Sequence, residues 1–132
     1  MINWLLKIFP FVIEKRNLTP SELGKAGEEE SVRFLKRNGL KILDRNVKVG
    51  RKEIDLIAKD GDEVVFIEVK TCRNESGFYP EDKVNYKKRK NIKKAAQQYI
   101  IKCLPKTKYY RFDIIAIIWE PSVSIRWIKN AF

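Results

Sequence analysis

The residues of this chain best placed to do chemistry are two carboxylates and a lysine in neighbouring apolar segments. Glu68 and Lys70 are two positions apart in a run with the composition of a strand, so both side chains leave the same face of it. Asp55 lies in the preceding apolar run, and Asp60-Gly61-Asp62 separates the two runs as a tight turn. A two- or four-residue loop there places Asp55 on the face of Glu68, opposite or diagonal to it, whereas a three-residue loop would separate them.

Glu28 adds a third carboxylate from a predicted helix. It shares a helical stripe with Val32 and Leu35, so we expect it to face inward. Carboxylates about 4 Å apart repel by several kcal/mol at an effective dielectric of about 20, so such a cluster needs a cation. Because the ligands would all be oxygens, Mg²⁺ or Mn²⁺ is the expected ion.

A site of this kind permits hydrolysis of a phosphodiester. Asp55 and Glu68 would hold the ion, with Glu28 binding it directly or through water, and the metal would polarise the scissile phosphate and activate a water. Lys70 would orient that water or stabilise the charge that develops on the phosphate. The same spacing also fits a structural alternative, in which Asp55 and Lys70 form a partly buried ion pair and both glutamates are solvated at the edge.

The rest of the pattern supplies the elements that must position these side chains. Thr19-Pro20-Ser21-Glu22 predicts a capped helix start, and Asn38-Gly39 predicts the end of that helix. The later segments predict three strands, an amphipathic helix and two strands, over residues 41–49, 53–59, 64–70, 83–103, 111–119 and 123–128. The order α-β-β-β-α-β-β predicts an α/β fold in which helices flank a mixed sheet.

Composition narrows the partner and the chemistry. The 132 residues predict one domain, and 28 lysines and arginines against 17 acidic residues give a net charge of +11, so we expect an acidic partner. The chain has no histidine, which excludes Ser-His-Asp triads, Cys-His pairs and His-based zinc sites. Two distant cysteines, Cys72 and Cys103, fit a reduced, cytoplasmic protein.

Positive charge is concentrated in residues 83–94, which contain no acidic residue. The cations there are Lys83, Lys87, Lys88, Arg89, Lys90, Lys93 and Lys94. On a helix beside the acidic residues they would track a phosphate backbone, and we favour this nucleic-acid-binding interpretation over a solvated helix face. Such contacts do not read sequence, so we expect selectivity for shape, such as junctions, flaps or single strands.

Three further groups have two interpretations each. Phe78 and Tyr79 follow Lys70 in a loop, where they would stack on unpaired bases or pack in the core. Asp113 begins an apolar strand, and a hydrogen bond at the strand end is preferred over a fourth acidic site residue. Residues 1–18 form an apolar extension before the domain of residues 19–132; the extension is too short to span a membrane, and we favour packing over an anchor at a membrane surface.

Four blocks of the sequence, in order, resemble the YraN family of small bacterial proteins. They are Gly24-Lys25-Ala26-Gly27-Glu28, Glu53-Ile54-Asp55-Leu56-Ile57-Ala58, Val65-Phe66-Ile67-Glu68-Val69-Lys70-Thr71 and Ile128-Lys129-Asn130-Ala131-Phe132. That family resembles a branch of the restriction-endonuclease-like superfamily, related to archaeal Holliday junction resolvases. The resemblance implies a Mg²⁺-dependent nuclease fold, in which Glu28 matches the helix glutamate, Asp55 and Glu68 the acidic metal ligands and Lys70 the catalytic lysine. It also implies a homodimer, since a junction offers two strands to cut.

Three functional hypotheses follow from the sequence. The first is a cytoplasmic, metal-dependent, structure-selective endonuclease acting on DNA or RNA. The second is a nucleic-acid-binding module on the same fold that cuts nothing. A third hypothesis, an interaction protein tethered through residues 1–18, explains the extension but not the acidic residues.

Overall fold

Helices and strands follow one another in the predicted order. The computed structural model describes residues 18–74 and 80–132, so Phe78, Tyr79 and nearly all of the N-terminal extension lie outside the described residues. The elements are α1 (Pro20–Arg37), β1 (Lys41–Val49), β2 (Lys52–Asp60), β3 (Glu63–Asn74), a short 3-10 turn (Pro80–Lys83), α2 (Tyr86–Cys103), β4 (Tyr109–Glu120) and β5 (Ser124–Ile128). The predicted α/β class and element order are confirmed.

Helix α1 begins and ends where its capping residues require. The hydroxyl of Thr19 accepts the N–H of Glu22 at 3.2 Å, and the Glu22 carboxylate accepts the N–H of Thr19 at 2.8 Å, which closes the predicted capping box. At the other end Asn38 is the C-cap, and Gly39 turns the chain with a φ of 87°. These two ends set which face of the helix carries Glu28.

The five strands form one sheet in the order β1-β2-β3-β4-β5. All neighbouring pairs are antiparallel except β3 and β4, which are parallel and are connected through α2. Asp60 pairs with Glu63, so the loop between β2 and β3 has two residues, and Gly61 takes a φ of 61° there. This is one of the two loop lengths that place Asp55 on the face of Glu68.

The second helix is shorter than predicted, because it begins at Tyr86 rather than near Lys83. The side chain of Asn85 accepts the N–H of Lys88 at 2.9 Å and so caps the helix. The preceding residues, Pro80–Lys83, form the separate 3-10 turn. Lys83 is therefore not part of the helix, and the predicted basic segment is divided between two elements.

The two helices pack on opposite faces of the sheet. Alternate residues of β3 enter two apolar clusters, Val65 and Ile67 the first, Val64 and Phe66 the second. Helix α1 contributes Leu23, Val32 and Leu35 to the first cluster, and α2 contributes Ile92, Ala95, Ala96 and Tyr99 to the second. Continuing the alternation, Glu68 follows Phe66 on the α2 face, where a charged side chain needs a partner. Neither described helix is long and apolar enough to cross a membrane.

Candidate active site

Asp55 and Glu68 lie across from each other where the pairing of β2 and β3 stops. The matched pairs run from Asp60 with Glu63 to Leu56 with Ile67, and Asp55 and Glu68 are the next positions on the two strands. Beyond that pair, the Asp55 carboxylate accepts the backbone N–H of Val69 at 2.8 Å. The structure therefore brings together the two carboxylates that the sequence predicts as neighbours.

Glu68 is a buried carboxylate with one unpaired oxygen among the described residues. It is 3% exposed, and within the described part of the chain its Oε2 atom has no hydrogen-bond partner. Buried polar atoms are almost always paired, so this oxygen is available to a metal ion or a proton. The burial also contradicts the structural alternative in which Glu68 is solvated at the edge.

Both carboxyls of the pair bind a proton more readily than usual. Burial raises the pKa of Glu68 to about 8, and the charge of Asp55 adds to this, while Lys88 and Lys70 act in the opposite direction. Burial also raises the pKa of Asp55, although the N–H of Val69 opposes the shift. Near neutral pH we therefore expect the pair to share one proton, unless a cation replaces it.

Two lysines contact the same oxygen of Glu68. Lys70 Nζ lies 3.8 Å from Oε1 and Lys88 Nζ lies 3.5 Å from it. Lys70 comes from β3, as the sequence predicts, and its partner is Glu68 rather than the Asp55 of the structural alternative. Lys88 is the third residue of α2, and sequence reasoning placed it in the nucleic-acid-binding set without its contact to the acidic pair.

Glu28 lies beside the pair, at the edge formed by α1 and β1. It is half-buried, and its pKa is raised by burial and by the charge of Asp55, while the side chain of Asn46 donates a hydrogen bond that opposes the shift. In residues 18–74 and 80–132 no three acidic or cysteine side chains approach closely enough to hold one ion together. Of the two roles predicted for Glu28, contact through water fits this arrangement better than direct ligation.

Asn46 is a member of the site that sequence reasoning missed. Arg45 pairs with Leu56 and Val47 with Ile54, so Asn46 on β1 lies opposite Asp55 on β2. It has a φ of 49°, which asparagine adopts more readily than most residues. An asparagine inside a run that otherwise reads as a strand was the only sequence signal for it.

Gly27 explains how closely α1 approaches the sheet beside the site. A Cβ atom at this position would lie 3.3 Å from the Cβ of Thr71 on β3, which is tighter than ordinary packing. Only glycine avoids that contact. The glycine before Glu28 therefore has a steric role next to the site.

The predicted basic segment presents its cations in different ways. Lys87, Lys90 and Lys94 are exposed, and their spacing of three and four places them along one stripe of α2, which we call the lysine row. Lys88 instead contacts Glu68. Lys83, in the 3-10 turn, places its Nζ 3.7 Å from the sulfur of Cys72 on β3.

Arg89 is engaged within the protein. Its Nε donates to the carbonyl of Val84 at 2.8 Å, and its guanidinium lies 5.5 Å from the centre of the Phe132 ring. The Phe132 ring in turn stacks on Phe112 of β4, with centroids 5.1 Å apart. Arg89 therefore connects α2 to the C-terminal residues, and the structure gives it a packing role besides the predicted contact to nucleic acid.

Asp113 has the hydrogen-bonding role that the sequence analysis preferred, but it lies within β4 (Tyr109–Glu120) and not at the end of the strand. It is fully buried and accepts bonds from Arg111 Nε at 3.0 Å, Trp127 Nε1 at 2.9 Å and the backbone N–H of Asn130 at 3.0 Å. The buried Arg111 also binds Asp60 and Glu63 at the turn between β2 and β3. This network connects β4, β5 and the C-terminal residues to the turn that sets the register of the acidic pair.

These elements define a class of protein: an α/β domain in which a five-stranded mixed sheet and two helices position an acidic pair and two lysines. The sequence profile described as "Uncharacterised protein family UPF0102" matches residues 27–117. The chain belongs to this family, which is the YraN family, and the resemblance found from the sequence blocks is confirmed.

Relatives in this family match over most of their length. UPF0102 proteins of Dictyoglomus thermophilum and Caldicellulosiruptor saccharolyticus are 45% and 39% identical over 114 residues, which cover 84% of this chain and 97% of each relative. The UPF0102 protein of Persephonella marina is 41% identical over 109 residues, covering 83% of this chain and 91% of the relative. Among solved structures, SfsA of Pyrococcus furiosus in complex with Ca²⁺ matches at a TM-score of 0.36 and 16% identity, covering 83% of this chain and 63% of that chain.

Proposed function

We propose that this protein is a metal-dependent endonuclease that hydrolyses phosphodiesters in DNA or RNA and selects the shape of its substrate. The observation that carries the proposal is the environment of Glu68. This buried carboxylate lies across from Asp55, contacts two lysines and keeps one oxygen unpaired within the described residues. A carboxylate pair beside lysines is an arrangement suited to a divalent ion and a phosphate.

Asp55 and Glu68 would hold Mg²⁺ or Mn²⁺. Mg²⁺ is commonly bound through one or two carboxylates, with waters and substrate phosphate oxygens completing its coordination, so the pair is sufficient. Once bound, the ion supplies Lewis-acid activation of the phosphate and of an attacking water.

The side chains of the protein supply the remaining functions. Lys70 keeps its ammonium group 3.8 Å from Glu68 and adds positive charge where negative charge develops on the phosphate. Glu28, held by Asn46, offers a carboxylate with a raised pKa that accepts a hydrogen bond from a water beside Asp55. Lys70 is thus the charge-stabilising group and Glu28 the water-orienting group.

The lysine row is the proposed contact for the nucleic acid. Lys87, Lys90 and Lys94 are exposed on the helix that also carries Lys88 to Glu68, so phosphates bound along the row lead towards the acidic pair. Phosphate contacts do not distinguish one base sequence from another, which favours selection by shape, as in branched or single-stranded substrates. A homodimer suits a substrate with two strands to cut, and the cytoplasm is the proposed location.

A second candidate function is a nucleic-acid-binding module without activity. It is favoured by the finding that three ligating side chains do not converge anywhere in the described ranges. In this case the acidic pair would hold a proton rather than a metal ion.

Cleavage assays with matched variants separate the two functions. Labelled four-way junctions, flaps, single-stranded DNA and RNA are incubated with the protein in Mg²⁺, in Mn²⁺ and in EDTA. Asp55→Asn and Lys70→Met test the site, and Asp62→Asn and Lys59→Met repeat the same charge changes at exposed positions. Metal-dependent cutting that only the site variants lose supports the endonuclease, and binding without cutting supports the module. Equal cutting by all variants would indicate a contaminating nuclease and refute the site.

A further inference from the structure

Lys88 belongs to two surfaces at once. Its Nζ lies 3.5 Å from Glu68 Oε1, and its side chain is 39% exposed, whereas the Glu68 side chain is 4% exposed. It is also the neighbour of the exposed Lys87 in the first turn of α2. The same ammonium group is therefore in contact with the acidic pair and within reach of a phosphate at the surface.

A divalent ion and Lys88 would compete for the carboxylate of Glu68. Both need negative charge from one carboxylate, and two ammonium groups already contact its Oε1 atom. The Oε2 atom, which is buried and unpartnered within the ranges described, remains for a metal ion. Positive charge at 3.5 Å from the carboxylate lowers its affinity for such an ion.

A nucleic acid phosphate changes this balance. When a phosphate takes the ammonium group of Lys88, Glu68 loses a competing cation and binds a divalent ion more tightly. When the ion binds first, Lys88 is released from Glu68 and its charge becomes available to the phosphate. The two ligands would thus assist each other through a single side chain.

We propose that Lys88 couples divalent-ion binding to nucleic acid binding, so that the metal site fills mainly when a phosphate backbone lies on α2. This inference rests on the proposed function, because it describes how that function would be regulated. By thermodynamic linkage, the factor by which nucleic acid raises ion affinity equals the factor by which the ion raises nucleic acid affinity. A protein without bound nucleic acid would then hold its metal ion weakly.

The test measures binding, not cleavage. Calorimetry gives the affinity for Ca²⁺, used as the probe ion, and fluorescence anisotropy gives the affinity for a labelled single-stranded DNA with and without Ca²⁺. Both are measured in the same buffer and at the same ionic strength. The variants are Lys88→Met, the conservative Lys88→Arg and Lys102→Met, which makes the same charge change at an exposed position of the same helix.

The expected result is a specific loss of coupling. Lys88→Met should bind Ca²⁺ about tenfold more tightly than the wild type, and Ca²⁺ should raise its DNA affinity by about tenfold less. Lys88→Arg and Lys102→Met should behave like the wild type. Wild-type Ca²⁺ affinity in Lys88→Met, no Ca²⁺ binding in any variant, or an equal effect of Ca²⁺ on DNA binding in all of them would overturn the inference.

The outcome is independent of the cleavage assay. A protein that shows the coupling but cuts nothing in Mg²⁺ would refute the proposed endonuclease and leave the coupling intact. A protein that cuts in Mg²⁺ but shows no coupling would support the proposed endonuclease and refute the coupling.

Discussion

The Asp55 carboxylate accepts the backbone N–H of Val69 at 2.8 Å, just beyond the last matched pair of β2 and β3. One side chain therefore satisfies the main chain of the neighbouring strand and also stands across from Glu68. A residue with two such roles cannot be judged by a single substitution.

Substitutions of Asp55 separate these roles. Asp55→Asn keeps an acceptor for the Val69 N–H and should leave the free energy of unfolding nearly unchanged, whereas Asp55→Leu leaves that N–H unpaired and should cost about 1–3 kcal/mol. Urea denaturation measures both. We expect neither variant to bind a divalent ion, and equal stability of the two would refute the structural role of the carboxylate.

Stability should fall as the pH rises from about 5 to about 8. The pKa of Glu68 is about 8 in the folded protein, against an ordinary value of 4.5, so the folded state binds a proton that the unfolded chain has already lost. This contribution is complete below the unfolded pKa and is lost as the pH rises through the folded pKa. Denaturation curves at several pH values test it.

Glu68→Gln should flatten this pH dependence. It should also stabilise the protein at pH 8 by up to a few kcal/mol, since each pKa unit corresponds to about 1.4 kcal/mol. Asp62→Asn, an exposed carboxylate in the nearby turn, is the control and should keep the wild-type slope. An unchanged slope in Glu68→Gln would show that other groups cause it.

Two glycines of α1 should respond differently to alanine. Gly27→Ala adds a Cβ 3.3 Å from the Cβ of Thr71, so Thr71 or α1 must move by a few tenths of an ångström, and this variant should be less stable than Gly24→Ala. Gly24→Ala meets nothing within 4 Å and should stabilise the helix by up to about 1 kcal/mol. Urea denaturation compares the two variants, and equal effects would refute the close approach of α1.

Neutralising the lysine row should weaken nucleic acid binding and reduce its dependence on salt. If each of Lys87, Lys90 and Lys94 contacts one phosphate, changing all three to glutamine should reduce the slope of log K against log salt by about 2–3. Anisotropy titrations at several salt concentrations measure this slope. A triple change at Lys102, Lys106 and Lys108 is the control, and an equal reduction there would mean that binding is spread over the surface.

The sequence favoured a register that places Asp55 on the face of Glu68 but left a three-residue loop open, and the two-residue loop of the structure decides between them. The position of Lys88 was not predictable, because it depends on where α2 begins, and a run of basic residues gives no period to locate that point. The cap at Asn85 decides it, since the side chain of Asn85 accepts the N–H of Lys88. Glu28 is half-buried, in keeping with its helical stripe, yet how closely α1 approaches the sheet depends on Gly27 packing against Thr71, which no local pattern encodes.

Asn46 illustrates a different limit. Its hydrogen bond to Glu28 of α1 depends on a left-handed residue within a strand and on a register shift in β1 between Ile42 and Asp44. Patterns of alternating hydrophobicity do not locate such irregularities.

The two-residue connection at Gly61 and Asp62 also restricts how this family can vary in length. Because alternate residues of a strand face opposite sides, one inserted residue there would turn Asp55 away from Glu68, whereas two would keep them facing each other. Homologous proteins that keep the acidic pair should therefore gain or lose residues in this hairpin in even steps.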